Sequence, residues 1–486
     1  MTIATAAITD AQRSRILAFD EGHFLDFKGR DIQPAKLSRS VSALANADGG
    51  ELYIGITNDR KWDGFKNAEA ANGHLQLLES LFPLGEDYGY TFLRHDDEKG
   101  LVLQLVVRKS RAVVRASDRI PYVRRGAQNL PVNTPEALQI LERNKGITSF
   151  ENEPLGADPV EISNSETIIR FMLDVIPSVE PEPWLRKQQL IQNDKPTVAG
   201  VLLFADLPQA LLPKRSGLKV YRYKTTLAEG TRETLVGNPL SVEGCAYDLV
   251  RDAVAQTQSI INDLRILGPE GPVPIEYPPE TLHEVITNAV LHRDYSSADD
   301  VHIRIFENRV EVESPGRLPA HITPRNILSE RFARNGNLVR VINKFPNPPN
   351  KDVGEGLNTA FAAMKRLRLK EPVIEERENS VVVHIRHEKL ASAEDIVLDY
   401  LGTHATIANP VGRQLTGIES ENAMKLVFYR LRDRGLLERV PNLGGNKAAW
   451  RLTRKGKAQN NKATSAVSNC RLQATRMKPR APEPER

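Results

Sequence analysis

Hydrophobic and polar positions alternate with two different periods along this chain, and the switches between them mark its elements. FLDFKGR alternates as a strand does. QPAKLSRSVSALANADGG then predicts a helix: Pro34 suits a first turn, Val41, Leu44 and Ala45 form one apolar face, and Gly49 and Gly50 end it. ELYIGIT and GLVLQLVV read as further strands, an amphipathic segment precedes them, and PYVRRGAQNLP closes this first α/β block, residues 13–145.

Residues 146–163, turn-rich and acidic, read as a linker. A second block, 164–272, holds VAGVLLFA (198–205), either a buried strand or a short core segment, and LKVYRYK (218–224), an alternating strand. It ends on a long helix. The third block spans 273–390. A fourth, 392–454, is small and mostly helical. Residues 457–486 have little periodicity, with seven basic and two acidic residues, and read as a disordered basic tail.

Composition narrows the class. At 486 residues the chain exceeds one core, and a formal charge of +4 permits nucleic-acid binding without requiring it. Two cysteines, Cys245 and Cys470, cannot build a disulfide framework or a cysteine-rich metal site. No apolar run reaches the roughly 20 residues of a membrane span, so the expectation is a cytoplasmic protein with no membrane association.

The chemistry concentrates in the third block. In PPETLHEVITNAVLHRDY, Glu284, Asn288 and His292 recur every four residues and share one helix face, while Val285, Ile286, Ala289 and Val290 can pack inward. An amide oxygen can ligate Mg²⁺ and a carboxylate can orient water. VHIRIFENRVEVESPGRLP follows as a hairpin running into a turn at Ser314-Pro315-Gly316. DVGEGLNTAFAAMKRL then places Gly354 and Gly356 before a helix, whose first N–H groups can hold phosphate.

That ordered set resembles the GHKL ATPase superfamily, which includes gyrase B, histidine kinases and MutL. NAVLHRDY followed by ESPGRLP resembles most closely the branch described as the C-terminal domain of a RecG-like helicase. The resemblance implies a Bergerat-type α/β sandwich binding ATP and Mg²⁺. Glu284 would be the general base of slow ATP hydrolysis, Asn288 the Mg²⁺ ligand, and Gly316 the adenine-side turn. Gly354 and Gly356 would form the phosphate lid. His292 and Asn335 join the candidate nucleotide-binding residues, Asn335 with a purely structural alternative. Ser314 stands where most members have an aspartate on the adenine amino group, which leaves adenine selectivity and turnover open. No GxxxxGK[ST] motif supports a helicase motor.

EGHFLDFKGR, LANADGGELYIGITND and PYVRRGAQ resemble the Schlafen-type AlbA-like domain, common in bacterial proteins and described as DNA-binding. Lys28, Arg30, Arg108, Lys109, Arg111, Arg124 and Arg125 would then contact phosphates. Glu21, Asp26 and Asp59 (or Asp63) carry the alternative: similarly placed acids in animal Schlafen proteins form an RNA-cleaving metal site.

The fourth block reads as a winged helix-turn-helix. Ala423, Leu426, Val427 and Leu431 are the expected core face of its third helix, Lys425, Arg430, Arg432 and Arg434 its basic face, and Gly444 to Lys447 its wing tip. A packing or dimerisation module is the alternative. The fold class expected is α/β, an α+β multidomain chain. The leading function is an ATP-gated, DNA- or RNA-binding transcriptional regulator, homodimeric or higher. The alternatives are an ATP-gated nuclease effector, in antiviral defence for example, and a scaffold that binds ATP without turnover.

Overall fold

The computed structural model describes residues 5–212, 216–268, 271–275, 277–349, 356–387, 393–416, 418, 420–441, 448–455 and 457. Gly354, the wing tip to Lys447, and the tail beyond Lys457 lie outside them. The chain divides into two compact units, Met1–His387 and Glu388–Arg486.

In the first unit, the N-terminal part comprises β1 (Thr5–Ala7), α1 (Asp10–Leu17), β2 (Leu25–Lys28), α2 (Pro34–Asn46), β3 (Gly50–Ile54), α3 (Asn72–Leu81), β4 (Tyr88–Arg94) and β5 (Val102–Val107). A hairpin, β6 (Tyr122–Arg125) with β7 (Gln128–Pro131), and α4 (Pro135–Asn144) complete it. The five-stranded sheet has the order β1-β4-β5-β3-β2. β2 runs parallel to β3, because α2 carries the chain back over the sheet between them. Pro34 opens α2, and Leu37, Val41, Leu44 and Ala45 are fully buried against the sheet. Gly49 turns the chain at φ 77°, where a Cβ would lie 2.6 Å from the Val107 carbonyl oxygen. α1 buries only Ile16, so the opening segment is not amphipathic.

Residues 146–163 are packed rather than extended. Glu151 is buried, and its carboxylate accepts the N–H groups of Asn337 and Leu338 at 2.9 and 2.7 Å. Next come α5 (Glu166–Val175), α6 (Val198–Phe204), β8 (Leu218–Arg222), β9 (Leu240–Val242) and α7 (Ala246–Asn262). Residues 198–204 are helical, so the strand alternative is wrong there. Thr197 caps the Gly200 N–H and all seven residues are buried, which is why period alone did not separate helix from strand.

The remainder supplies α8 (Pro279–Leu291), β10 (Val301–Ile305), β11 (Arg309–Pro315), α9 (Gly336–Ile342), α10 (Gly356–Arg366), β12 (Val373–Glu376) and β13 (Ser380–Arg386). The six-stranded sheet runs β9-β8-β10-β11-β13-β12. β8, from the second block, lies parallel to β10, and Val220 stands beside Ile303. One core therefore extends from Ile162 to Ile385, with Leu249, Leu282, Ile286, Ile303, Val310 and Val312 all buried in it. The second and third blocks of the sequence fold around it together.

The second unit contains α11 (Ala393–Thr403), β14 (Ile407–Ala408), α12 (Asn409–Thr416), α13 (Glu421–Asp433), β15 (Leu437–Arg439) and β16 (Ala449–Leu452), with strand order β14-β16-β15. The core face of α13 is Met424, Val427, Phe428 and Leu431. Ala423 and Leu426 are exposed, the latter by 57%. The expected face was rotated: 424, 427, 428 and 431 follow the helical period, and the bulkier Met424 and Phe428 fill the space that α12 and the sheet leave.

Candidate nucleotide site

α8 begins with Pro279 at its first turn and ends at Leu291, with His292 as its C-cap. Its apolar face is buried, so Glu284, Asn288 and His292 face away from the core. They line a cavity of about 880 Å³ together with Ser314 and Gly316 at the end of β11 and Gly356 at the start of α10. This volume lies within the range of small-molecule sites. Val312, Val381 and Val383 supply an apolar wall from the sheet.

The Asn288 amide nitrogen donates to Glu284 Oε1 at 2.8 Å. That bond commits the amide's donor end and leaves its carbonyl oxygen for a cation. Glu284 is largely buried, and desolvation raises its carboxyl above the ordinary glutamate value, with the Asn288 bond partly opposing the shift. The raised value makes the ionised carboxylate a stronger base toward water than an exposed glutamate. Gly356 abuts the same carboxylate: a Cβ there would fall 1.9 Å from Glu284 Oε1.

The turn at the other end is equally constrained. Gly316 has φ 99°, and a Cβ would meet the Asp294 Cβ at 2.5 Å. Asp294 N–H donates to the Pro315 carbonyl at 2.8 Å, which locks the HRDY loop onto the SPG turn. Ser314 Oγ donates to the Ala289 carbonyl at 2.8 Å. Its proton is thus spent within the protein and the hydroxyl oxygen remains an acceptor. Asn335 does not line the cavity. It is buried, and its amide donates to the carbonyls of Leu291 and Arg293, each at 2.9 Å, which closes the end of α8.

The N-terminal acids are not brought together as a metal site. Asp26 is buried beside Lys28 at 2.7 Å and Arg124 at 3.5 Å, Glu21 accepts the Phe27 N–H, and Asp59 is exposed. Asp63 pairs with Arg30 at 3.2 Å. Among the described residues, the group of ligand-type side chains close enough for one ion is Asp10, His95 and Asp97, which includes none of these. Both His95 ring nitrogens already have partners, Asp10 at 3.0 Å and the Asp97 N–H at 3.2 Å.

Several cations expected on phosphates serve the interior or the seam instead. Arg124 is buried and donates to the Gly22 and Leu25 carbonyls and to Asn129. Lys109 is buried and donates to the Leu318 and Ile322 carbonyls at 3.0 and 3.1 Å. Arg111 lies 3.5 Å from Glu330, and Arg125 pairs with Glu378. Arg108 is bonded to the Glu86 carbonyl. In the second unit, Lys425 pairs with Glu421, Arg430 with Glu394, and Arg432 with Asp433 while lying over the Tyr429 ring; Arg434 is exposed. These four remain on the surface.

Arg317 is among the cavity residues that were not anticipated. It stands next to Gly316 and also bonds Asp48 of the N-terminal part at 2.5 Å and Glu376 at 3.1 Å. Its position directly after the glycine turn was the available signal.

The fold defines an α+β multidomain chain with a large cavity built against a six-stranded sheet. Comparison with known families gives the same two parts. Residues 21–133 match the family described as "Schlafen, AlbA_2". Residues 298–385 match "Putative ATP-dependent DNA helicase recG C-terminal". These matches carry the coarse reading of nucleotide binding and nucleic-acid binding. No curated protein matches the chain. Among solved structures, the DIP2311 protein from Corynebacterium diphtheriae is similar at 19% identity, covering 93% of this chain and 98% of that one, with a TM-score of 0.38. No helix among the described residues is long and apolar enough to cross a membrane.

Proposed function

We propose that the chain binds ATP in the Glu284–Asn288 cavity and uses its occupancy to control engagement of nucleic acid, DNA foremost, as a transcriptional regulator. The observation that carries this reading is the shared cavity: a carboxylate–amide pair in the middle, Gly316, which its backbone angle requires, on one wall, and Gly356 against the Glu284 carboxylate on another. Asn288 would hold Mg²⁺, which when bound supplies charge neutralisation on phosphate oxygens. Glu284 takes a proton from water, its basicity strengthened by its desolvated setting. The acceptor oxygen of Ser314 suits an amino group better than a carbonyl, which favours adenine over guanine. The exposed cations of α13 contribute phosphate contacts. The reading includes a homodimer or higher homo-oligomer in the cytoplasm.

The deciding experiment incubates purified protein with labelled DNA and RNA, with and without ATP and Mg²⁺. Intact nucleic acid with nucleotide-dependent binding supports a gated binder. Metal-dependent cleavage would replace it with a nuclease, and binding indifferent to ATP would remove the gate.

A further inference from the structure

The seam between the N-terminal part and the nucleotide-binding part carries a buried cluster of charges. Asp48 stands between α2 and the Gly49-Gly50 turn. Its carboxylate meets Arg317 at 2.5 Å, Lys109 at 3.4 Å and His23 at 2.6 Å. Glu376, at the end of β12, meets Arg317 at 3.1 Å and Lys109 at 3.7 Å, and also accepts the Leu318 N–H at 3.1 Å. Side chains of Asp48, Glu376 and Lys109 are each exposed by less than a tenth. Arg317 is exposed by 27%, and it lines the cavity.

Such a cluster is a poor source of net stability, because desolvating the charges offsets their attraction. Its strength is discrimination: removing one partner from a buried pair leaves an uncompensated charge, so the cluster tolerates few arrangements. Here that intolerance has a direction. Arg317 follows the glycine turn of the cavity. Lys109 grips the next residues through the Leu318 and Ile322 carbonyls. On the far side, His23 belongs to the loop entering β2, and Phe24 accepts the Glu51 N–H at 2.8 Å. A shift of residues 316–322 therefore cannot leave Asp48 and the β2 entry loop as they were.

We infer that the Asp48–Arg317–Glu376–Lys109 cluster couples the cavity to the N-terminal domain, with Arg317 as the shared positioning residue. A nucleotide that contacts or displaces Arg317 changes the partners of Asp48, and through His23 the loop before β2. The coupling is reciprocal: nucleic acid on the N-terminal domain changes nucleotide affinity by the same factor. This inference rests on the nucleotide-binding reading above and adds the route by which the site is regulated.

The test measures affinity of the full chain for a 30-base-pair duplex and a 30-nucleotide single strand, with and without a non-hydrolysable ATP analogue. Nucleotide affinity is measured separately by calorimetry. In the wild type the analogue changes nucleic-acid affinity by at least about fivefold, the lower range of allosteric couplings. Asp48→Asn, which lies outside the cavity, brings that factor below twofold while the analogue still binds. Hydrogen exchange on the wild type is the second measurement, independent of any variant's folding. The analogue alters protection at residues 21–28 and 44–50 as well as around the cavity. A factor unchanged in Asp48→Asn, or analogue binding without a change at those residues, overturns the coupling. A wild type that binds no analogue overturns the nucleotide reading and this inference together. Analogue binding with no effect on either nucleic acid overturns this inference alone.

Discussion

Glu284 and Arg124 show how burial decides what a charged residue does. Glu284 is desolvated, with an amide partner on one oxygen, so its carboxyl is held above the ordinary range. For an acid with a raised folded value, ionisation disfavours folding, and the group's contribution to stability falls as pH rises through that window. As a base it must be ionised, so ATP turnover should rise with pH through the same window, above the usual glutamate range. Glu284→Ala should abolish turnover while nucleotide affinity stays within a few-fold, measured by phosphate release and calorimetry; unchanged turnover would remove Glu284 from the chemistry. Arg124 is the opposite case. Its guanidinium bridges main-chain carbonyls and Asp26 inside the N-terminal domain. Arg124→Ala should cost about 3–5 kcal/mol of stability, because the Gly22 and Leu25 carbonyls and Asn129 lose their donor while Asp26 keeps only Lys28. Chemical denaturation would show it, and a loss confined to nucleic-acid affinity would contradict the placement. Neither outcome is legible from residue type: an arginine in YVRRG looks the same whether it faces phosphate or the core.

At the scale of elements, α8 and the β10–β11 hairpin were readable because each keeps its period and carries its own stop signals. Pro279 and the buried Val285, Ile286, Ala289 and Val290 are local facts. Ile303 opposite Val312 follows from alternation and a two-residue turn. The α6 segment stayed open between strand and core segment, and the core face of α13 was misread, for one reason. A continuous apolar run, or a helix with apolar residues beyond its core stripe, needs its neighbours to show which positions are enclosed. The stretch at 146–163 looked like a linker because it is polar and turn-rich. Its Glu151 instead caps α9 across the fold, a contact separated by more than 180 residues. Glu151→Ala should lower stability by about 2 kcal/mol, as loss of an N-terminal cap to two N–H groups does. An unchanged melting temperature would mean that water replaces the carboxylate there.

Over the whole molecule, charge distribution matters more than the net value of +4. Lys109, Arg111 and Arg125 meet acids of the nucleotide-binding part, so the N-terminal domain presents fewer free cations than its sequence suggests. The second unit keeps Lys425 and Arg432 on its surface. Each phosphate contact contributes about 0.9 to the slope of log affinity against log salt on duplex DNA. Lys425→Ala with Arg432→Ala should therefore lower that slope by roughly 1 to 2. A slope equal to the wild type's would mean that α13 is not the DNA face and that this unit has a packing role.

By itself the sequence determined the periods of α2, α8 and the β10–β11 hairpin, the two family-like blocks and the Glu284–Asn288–His292 face. All of these are local, carried by residues within a turn or two of one another. It also named the glycine turn at 316, because only glycine suits that backbone. The tertiary structure decided which cations are free, which acids meet, and that Arg317 belongs to both the cavity and the seam. Those facts depend on burial and on partners tens to hundreds of residues away, as Asp48 and Arg317 are. A sequence records that a charge is present; only packing determines whether water or another charge satisfies it.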